Sequence, residues 1–338
     1  MKRHDVFGFQ GALVCGLICF CIFGIAVNNA GAVITMKFSH YVDESHPLHK
    51  AAMQFAERVA ERTNGEVKVT VYPANTLGSP PEQCEQVHLG VLDMSLNTQG
   101  QTEYYVKASA TPQIPFIFDD YDHAHRTVDG PAMEWMAPKF KEAGMIVLAN
   151  WEWGFRNITN NKRPINTPDD VKGLKIRVPP EFHLQALFES LGAVVTKIAW
   201  PELYMALAQD VVDGQENPLS AIYYQKFYEV QKYLALTRHT YSCSMHLIST
   251  KSWAKLNDEQ KKIFKEESKR AGDFAREVLN NEEKDLIAKM KKAGLQVTEP
   301  DPAPFRVAAK PAYEKIYDRY GRENVAKFMQ FVEEARQK

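Results

Sequence analysis

The chain has 338 residues, 45% of them hydrophobic, and its 41 basic and 42 acidic side chains leave a formal net charge of −1. That length suggests two domains. So even a charge balance excludes the basic footprint of a protein that grips nucleic acid or an anionic membrane.

The first 32 residues read as an export signal. Lys2 and Arg3 form a basic start, Gly11 to Val27 is an uncharged apolar run, and Ala30-Gly31-Ala32 places small residues where a signal peptidase cuts. A run of that length lies near the lower limit for a spanning helix, and none of Cys15, Cys19 or Cys21 follows the Leu-x-small pattern of a lipid anchor. The expectation is an exported protein, not itself membrane-embedded after cleavage, with 39 basic against 41 acidic residues in the mature chain. Only Cys84 and Cys243 remain in it. A disulfide between them suits an oxidising compartment, and two reduced, buried cysteines are the alternative.

Val33 to Ser39 reads as a first strand, followed by the cap candidates Asp43-Glu44-Ser45. A helix then begins near Pro47, with Leu48, Ala52, Phe55 and Val59 at helical spacing, and ends at Asn64-Gly65. Val67, Val69 and Val71 alternate in a second strand. After the Gly78-Ser79-Pro80-Pro81 turn, Glu82 to Leu89 reads as a helix and Val91 to Leu96 as a third strand. This β-α-β-α-β order predicts a mainly parallel sheet with helices on its faces. Thr98 to Asp122 is aromatic and without period, the character of a binding or covering segment. A helix over Ala132 to Ala143 leads to a strand from Met145 to Ala149, which runs into Asn150 to Asn157.

A second β-α-β-α set comprises a strand from Leu174 to Val178, a helix from Glu181 to Leu191, a strand from Ala193 to Ile198 and a helix from Pro201. Val211 to Pro218 reads as strand into turn, and Tyr233 to Leu236 and Tyr241 to Ser249 as two further strands. From Asp258 to Ala293 only Gly272 interrupts a helical pattern, which at 1.5 Å per residue spans roughly 54 Å, enough to brace two lobes. Leu295 to Thr298 and a last helix after Pro302 complete the chain.

The stretch Gly173 to Pro179 carries the sharpest chemical candidate. Arg177 falls at the carboxyl end of its short strand, where open α/β sheets place their ligands, and its planar fork suits a carboxylate. A solvated arginine on an edge strand is the plain alternative. Trp151, Trp153 and Arg156 form a second candidate group, against a core role for the aromatics. There is no G-x-S-x-G elbow, H-E-x-x-H helix, Walker loop or G-x-G-x-x-G loop, so neither an enzyme nor a cofactor is expected. His46 and His49 lack a third ligand and read as a surface pair. Asp119 to His125 reads as helix capping, not as a metal site.

Several stretches match one family in order: Glu61 to Gly65, Tyr72 to Gly78, Gly90 to Met94, Gly154 to Thr159, Gly173 to Pro179, Val212 to Pro218 and Lys226 to Tyr233. Through them the chain resembles the periplasmic substrate-binding subunits of tripartite ATP-independent periplasmic (TRAP) transporters, in the DctP-like branch. The resemblance implies a two-lobed α/β periplasmic binding protein fold with crossing strands and one long helix spanning both lobes. Lobe I would take residues 33–153 plus 243–282, and lobe II residues 154–242 plus 283–338. It implies a carboxylate ligand in the interlobe cleft and TRAP membrane permease subunits as partners. Arg177 would form the salt bridge to the ligand, Arg156 would support it, and Asn217 would donate an amide hydrogen bond. Asn97, Thr98 and Gln99 would reach the ligand's distal part, and Phe116 and Trp200 are further contact candidates.

Trp153 and Pro180 stand where sialic-acid-binding members usually carry asparagine and a polar amide. That points to another monocarboxylate: a sugar acid such as a uronate or aldonate, or an aromatic or bulky apolar acid. A ligand-presenting subunit of a sensor kinase is the alternative role, and a metal-dependent enzyme using Asp119 to His125 a more distant one.

Overall fold

Two long antiparallel strands organise the molecule. The structure is a computed structural model that describes residues 32–337, so the expected export signal lies, Ala32 apart, outside the described residues. Its strands are β1 (Ile34–Ser39), β2 (Val67–Tyr72), β3 (Met94–Thr98), β4 (Met145–Asn160), β5 (Lys175–Val178), β6 (Val194–Lys197), β7 (Gly214–Pro218), β8 (Tyr233–Ser249) and β9 (Gln296–Thr298). They form one sheet in the order β2-β1-β3-β8-β4-β7-β5-β6, with β9 beside β8. β4 and β8 run 16 and 17 residues. The Ser244–Ile248 part of β8 carries β3, with β1 and β2 parallel beyond it. The Arg156–Asn160 part of β4 carries β7, with β5 and β6 parallel beyond it. Two parallel β-α sets thus hang from opposite ends of the same strand pair, which is the two-lobed α/β architecture with crossing strands.

The helix Asp258–Lys292 spans both sets. Asn257 and Gln260 exchange side-chain to backbone hydrogen bonds at its start, satisfying donors that a bare helix end would strand. Ile263, Phe264, Ala271 and Ala275 belong to the core around β1 and Trp151, whereas Leu286 and Met290 join the core around Leu203 and Ile222. No helix among the described residues is long and apolar enough to cross a membrane.

Several local expectations are corrected. The first helix, Pro47–Arg62, is capped by His46 and not by Asp43 to Ser45: its Nδ1 accepts from the Leu48 amide at 3.1 Å. His46 is fully buried, so the expected surface pair is not found; His49 bonds instead to the buried His40. Tyr233 to Ser249 is one strand. The break read between Leu236 and Tyr241 is a bulge, because the β8 partners jump from Ala235 to Thr240 while β4 advances only from Ile158 to Arg156. Arg238 within it has φ 44°. The chain closes with three helices, Pro302–Ala308, Lys310–Tyr320 and Arg322–Arg336, not one. Thr98 to Asp122 contains two 3₁₀ turns, Gln99–Thr102 and Lys107–Gln113. Asp120 caps the helix Tyr121–Val128 through the His123 amide at 2.7 Å. Cys84 and Cys243 are buried and unpaired.

Burial holds the imidazoles of His40, His46, His183 and His246 down at about 3. Their folded pKa values lie below the unfolded value near 6.5, so the stability they permit is present above that pH and lost as the pH falls. Each withdraws about 1.4 kcal/mol per pH unit in that window. The melting temperature should change little from pH 7.5 to about 6.5 and then drop steadily to pH 5; a flat profile would show that these rings accept protons in the native state. A second prediction concerns Gly272, where an added Cβ would sit 2.7 Å from Trp151 Cδ1. Gly272→Ala gains about 1 kcal/mol of helix propensity but overpacks the core by about 1–3 kcal/mol. The urea midpoint should fall, and a rise would mean that Trp151 moves aside freely.

Candidate functional site

A cavity, partly open to solvent, lies where the two β-α sets meet β4. β5 is an interior strand, and Arg177 pairs in register with Thr196 of β6 and Gln215 of β7. The edge-strand alternative is thereby removed. Arg177 is only 1% exposed. Its Nε donates to the Ile198 carbonyl at 2.9 Å, while Nη1 and Nη2 are buried without a protein partner. Desolvation outweighs the pull of nearby Glu216 and brings the guanidinium down to about 9, so it remains a cation at neutral pH.

Arg156, on β4, is paired with a carboxylate. Its Nε and Nη2 grip Glu216 Oε2 and Oε1 at 2.5 and 2.8 Å, and Nη2 also reaches the Glu216 carbonyl and Asn217 Oδ1. The antiparallel register sets Asn157 opposite Asn217, which brings these neighbours together. Burial works to raise the Glu216 carboxyl, yet Arg156 and His239 overcome it and hold it at about 2. His239 Nε2 lies 3.1 Å from Glu216 Oε2. Glu216 is therefore committed to Arg156, and the second guanidinium has no anion of its own. A buried cation with unspent donors is costly unless a ligand supplies the charge.

Arg177, Arg156, Asn217, Trp153, Thr98 and Trp200 all line this one cavity. Asn97, Gln99 and Phe116 do not. Asn97 Nδ2 donates to the Pro80 carbonyl and to Gln101 Oε1. Gln99 is spent on Cys243, accepting from its amide at 3.0 Å and donating to its sulfur. Phe116, at φ 60°, packs against the core under β5. Asn217 Nδ2 donates to Gln215 Oε1 at 2.5 Å, which fixes the amide in the site.

The lining also includes Tyr41, Pro80, Pro81, Gln101, Pro179, Glu181 and Ala199, none of which stood out in the sequence as a contact. Both proline pairs were legible, as a turn and as a strand end; that they face each other's neighbourhood was not. Glu181 Oε1 accepts from Thr98 Oγ1 at 2.8 Å. Burial raises its carboxyl against the opposing pull of Arg156. No cluster of three His, Cys, Asp or Glu side chains suited to a metal occurs among the described residues.

The model of bacterial extracellular solute-binding protein family 7, DctP, matches residues 38–320. The chain belongs to that family. It is 33% identical to the sialic acid-binding periplasmic protein SiaP of Vibrio cholerae over 306 residues, covering 89% of this chain and 94% of that one. It is 36% identical to an uncharacterized protein of Sinorhizobium fredii over 85% of this chain, but spans only 53% of that protein's length. Among solved structures, a TRAP periplasmic solute-binding protein from Polaromonas sp. JS666 bound to D-erythronate superposes with a TM-score of 0.84 at 35% identity, covering 88% of this chain and 98% of that one. As a DctP-family TRAP solute-binding protein, the chain is of a binding family and not an enzyme family.

The two arginines should respond differently to substitution. Glu216→Gln strips Arg156 of its counter-charge and should cost about 3–5 kcal/mol of stability. Arg177→Met removes a buried charge that no protein group neutralises, and should leave the urea midpoint unchanged or higher. Equal losses in both variants would show that Arg177 is as structurally committed as the ion pair.

Proposed function

We propose that this protein is the periplasmic receptor of a TRAP transporter, capturing an organic monocarboxylate and delivering it to the membrane permease subunits. The observation that carries this reading is the Arg177 fork, buried in the cavity with both terminal nitrogens unpartnered. A carboxylate placed against it completes two charge-assisted hydrogen bonds and neutralises the surplus cation in one step. Arg156 and Asn217 buttress the fork without competing for the ligand's charge. The relatives named for sialic acid and bound to D-erythronate differ in the body of the ligand and share its carboxylate, which supports the same anchor here. The ligand is accordingly a sugar acid such as a uronate or aldonate, or a bulkier apolar or aromatic acid. Lobe I (33–153 plus 243–282) and lobe II (154–242 plus 283–338) would close over it, with Trp153 and Trp200 covering the part beyond the carboxylate.

A thermal-shift screen against a panel of carboxylic acids tests this. The right acid at a hundred times its Kd should stabilise the fold by about 2.7 kcal/mol. Arg177→Ala should keep the wild-type circular dichroism and lose that shift. Unchanged affinity in the variant would place the carboxylate anchor elsewhere.

A further inference from the structure

The walls of the cavity narrow the ligand class beyond the carboxylate, and this step rests on the carboxylate-capture reading above. Tyr41, Trp153 and Trp200 form a cluster of three rings in mutual edge contact, with centroids 5.2, 5.8 and 5.9 Å apart. Trp200 is pinned there by its Nε1, which donates to the Tyr41 carbonyl at 3.1 Å. Four prolines supply most of the remaining apolar lining. Proline brings no backbone N–H and a fixed φ, so this surface offers hydrocarbon of set shape and few donors.

The polar groups that border the cavity are largely engaged by the protein. The Tyr41 hydroxyl is bonded to Ser244 Oγ at 2.8 Å. Glu181 Oε1 is taken by Thr98, and Gln101 Oε1 by Asn97 and the Thr98 amide. Asn217 Oδ1 is taken by Arg156. Glu181 Oε2 is turned beneath Gly100, where an added Cβ would come within 2.2 Å of it. Apart from Glu181 Oε2, the buried polar atoms of the lining that have no protein partner are the two terminal nitrogens of Arg177. A polyhydroxy acid brings an O–H on nearly every carbon, and each hydroxyl left without an acceptor weakens binding roughly tenfold or more.

We infer that the cavity selects monocarboxylates whose body beyond the carboxylate is hydrocarbon, over aldonates and uronates of equal carbon number, and that Trp153 sets this preference. The carboxylate sits on Arg177 and the hydrocarbon lies against the three rings and the prolines. Trp153 is the pivot because it touches both Tyr41 and Trp200 and is itself 2% exposed.

Calorimetric titration of the mature protein with three six-carbon acids, 4-methylpentanoate, D-gluconate and D-glucuronate, tests the inference. Wild type should bind 4-methylpentanoate at least a hundredfold more tightly than either of the others, and Arg177→Ala should abolish that binding. Trp153→Ala should weaken 4-methylpentanoate at least tenfold while leaving the two sugar acids within threefold, so the ratio contracts. Trp153→Phe, which keeps a ring in the cluster, should retain the preference and serves if the alanine variant does not fold. Gluconate or glucuronate binding as tightly as 4-methylpentanoate would overturn the inference and leave carboxylate capture standing. Failure of these three and of every acid in the wider panel to bind would remove the capture reading itself.

Discussion

Two buried guanidiniums share a neighbourhood with one firmly ionised carboxylate, and the rest of the cavity is arranged around that imbalance. Glu216 lies opposite Ile158 in the β4–β7 register and reaches Arg156 with both oxygens. Its charge is thereby consumed, and Arg177 keeps a cation that the protein does not neutralise. Burial raises the Glu181 carboxyl and Thr98 takes its Oε1, while the Arg177 terminal nitrogens bond to no protein group. A folded protein tolerates such a group only where neighbouring structure holds it in place. Here the strand pairing of β5 on both sides and the Ile198 carbonyl do so.

Much of this was visible in the residues. The alternation Leu174, Ile176, Val178 against Lys175 and Arg177 identifies a strand, and the glycine and prolines around it mark the ends. Asn217, Thr98 and Trp200, which only the family resemblance implies as contacts, meet Trp153 and Arg156 in one cavity. Periodicity reports which face of an element a side chain occupies, but not what another element lays against that face. Asn97 and Gln99 alternate with Thr98 on the same strand and its continuation, and their partners, Pro80 and Cys243, come from distant segments. Glu181 looked like the first residue of a helix, and its bond to Thr98 crosses 83 residues. His46 looked solvated for the same reason: Trp153 and Tyr224, which bury it, come from far along the chain.

The main topological misreading has a physical cause too. Thr237 to His239 interrupt the apolar alternation of β8 because that segment bulges from the ladder, with Arg238 stacked over the Phe155 and Tyr121 rings. A bulge and a chain break have similar signatures in one dimension. Only the continuation of pairing on both sides, from Tyr233 to Ala235 and from Thr240 onward, distinguishes them.

That continuity bears on how the two ends of the sheet move relative to each other. β4 and β8 pass from one β-α set to the other without an intervening loop, and the helix Asp258–Lys292 does the same. No swivel joint exists in these three segments, so relative motion has to be absorbed as twist and flexure of paired strands. Of the three irregular places in the β4–β8 ladder, at Val147/Ala149, Glu152/Gly154 and Arg156/Ile158, the last two adjoin the cavity-lining Trp153 and Arg156. A solute seated against Trp153 and Arg156 would lie beside two of the breaks in the pairing of the long strands.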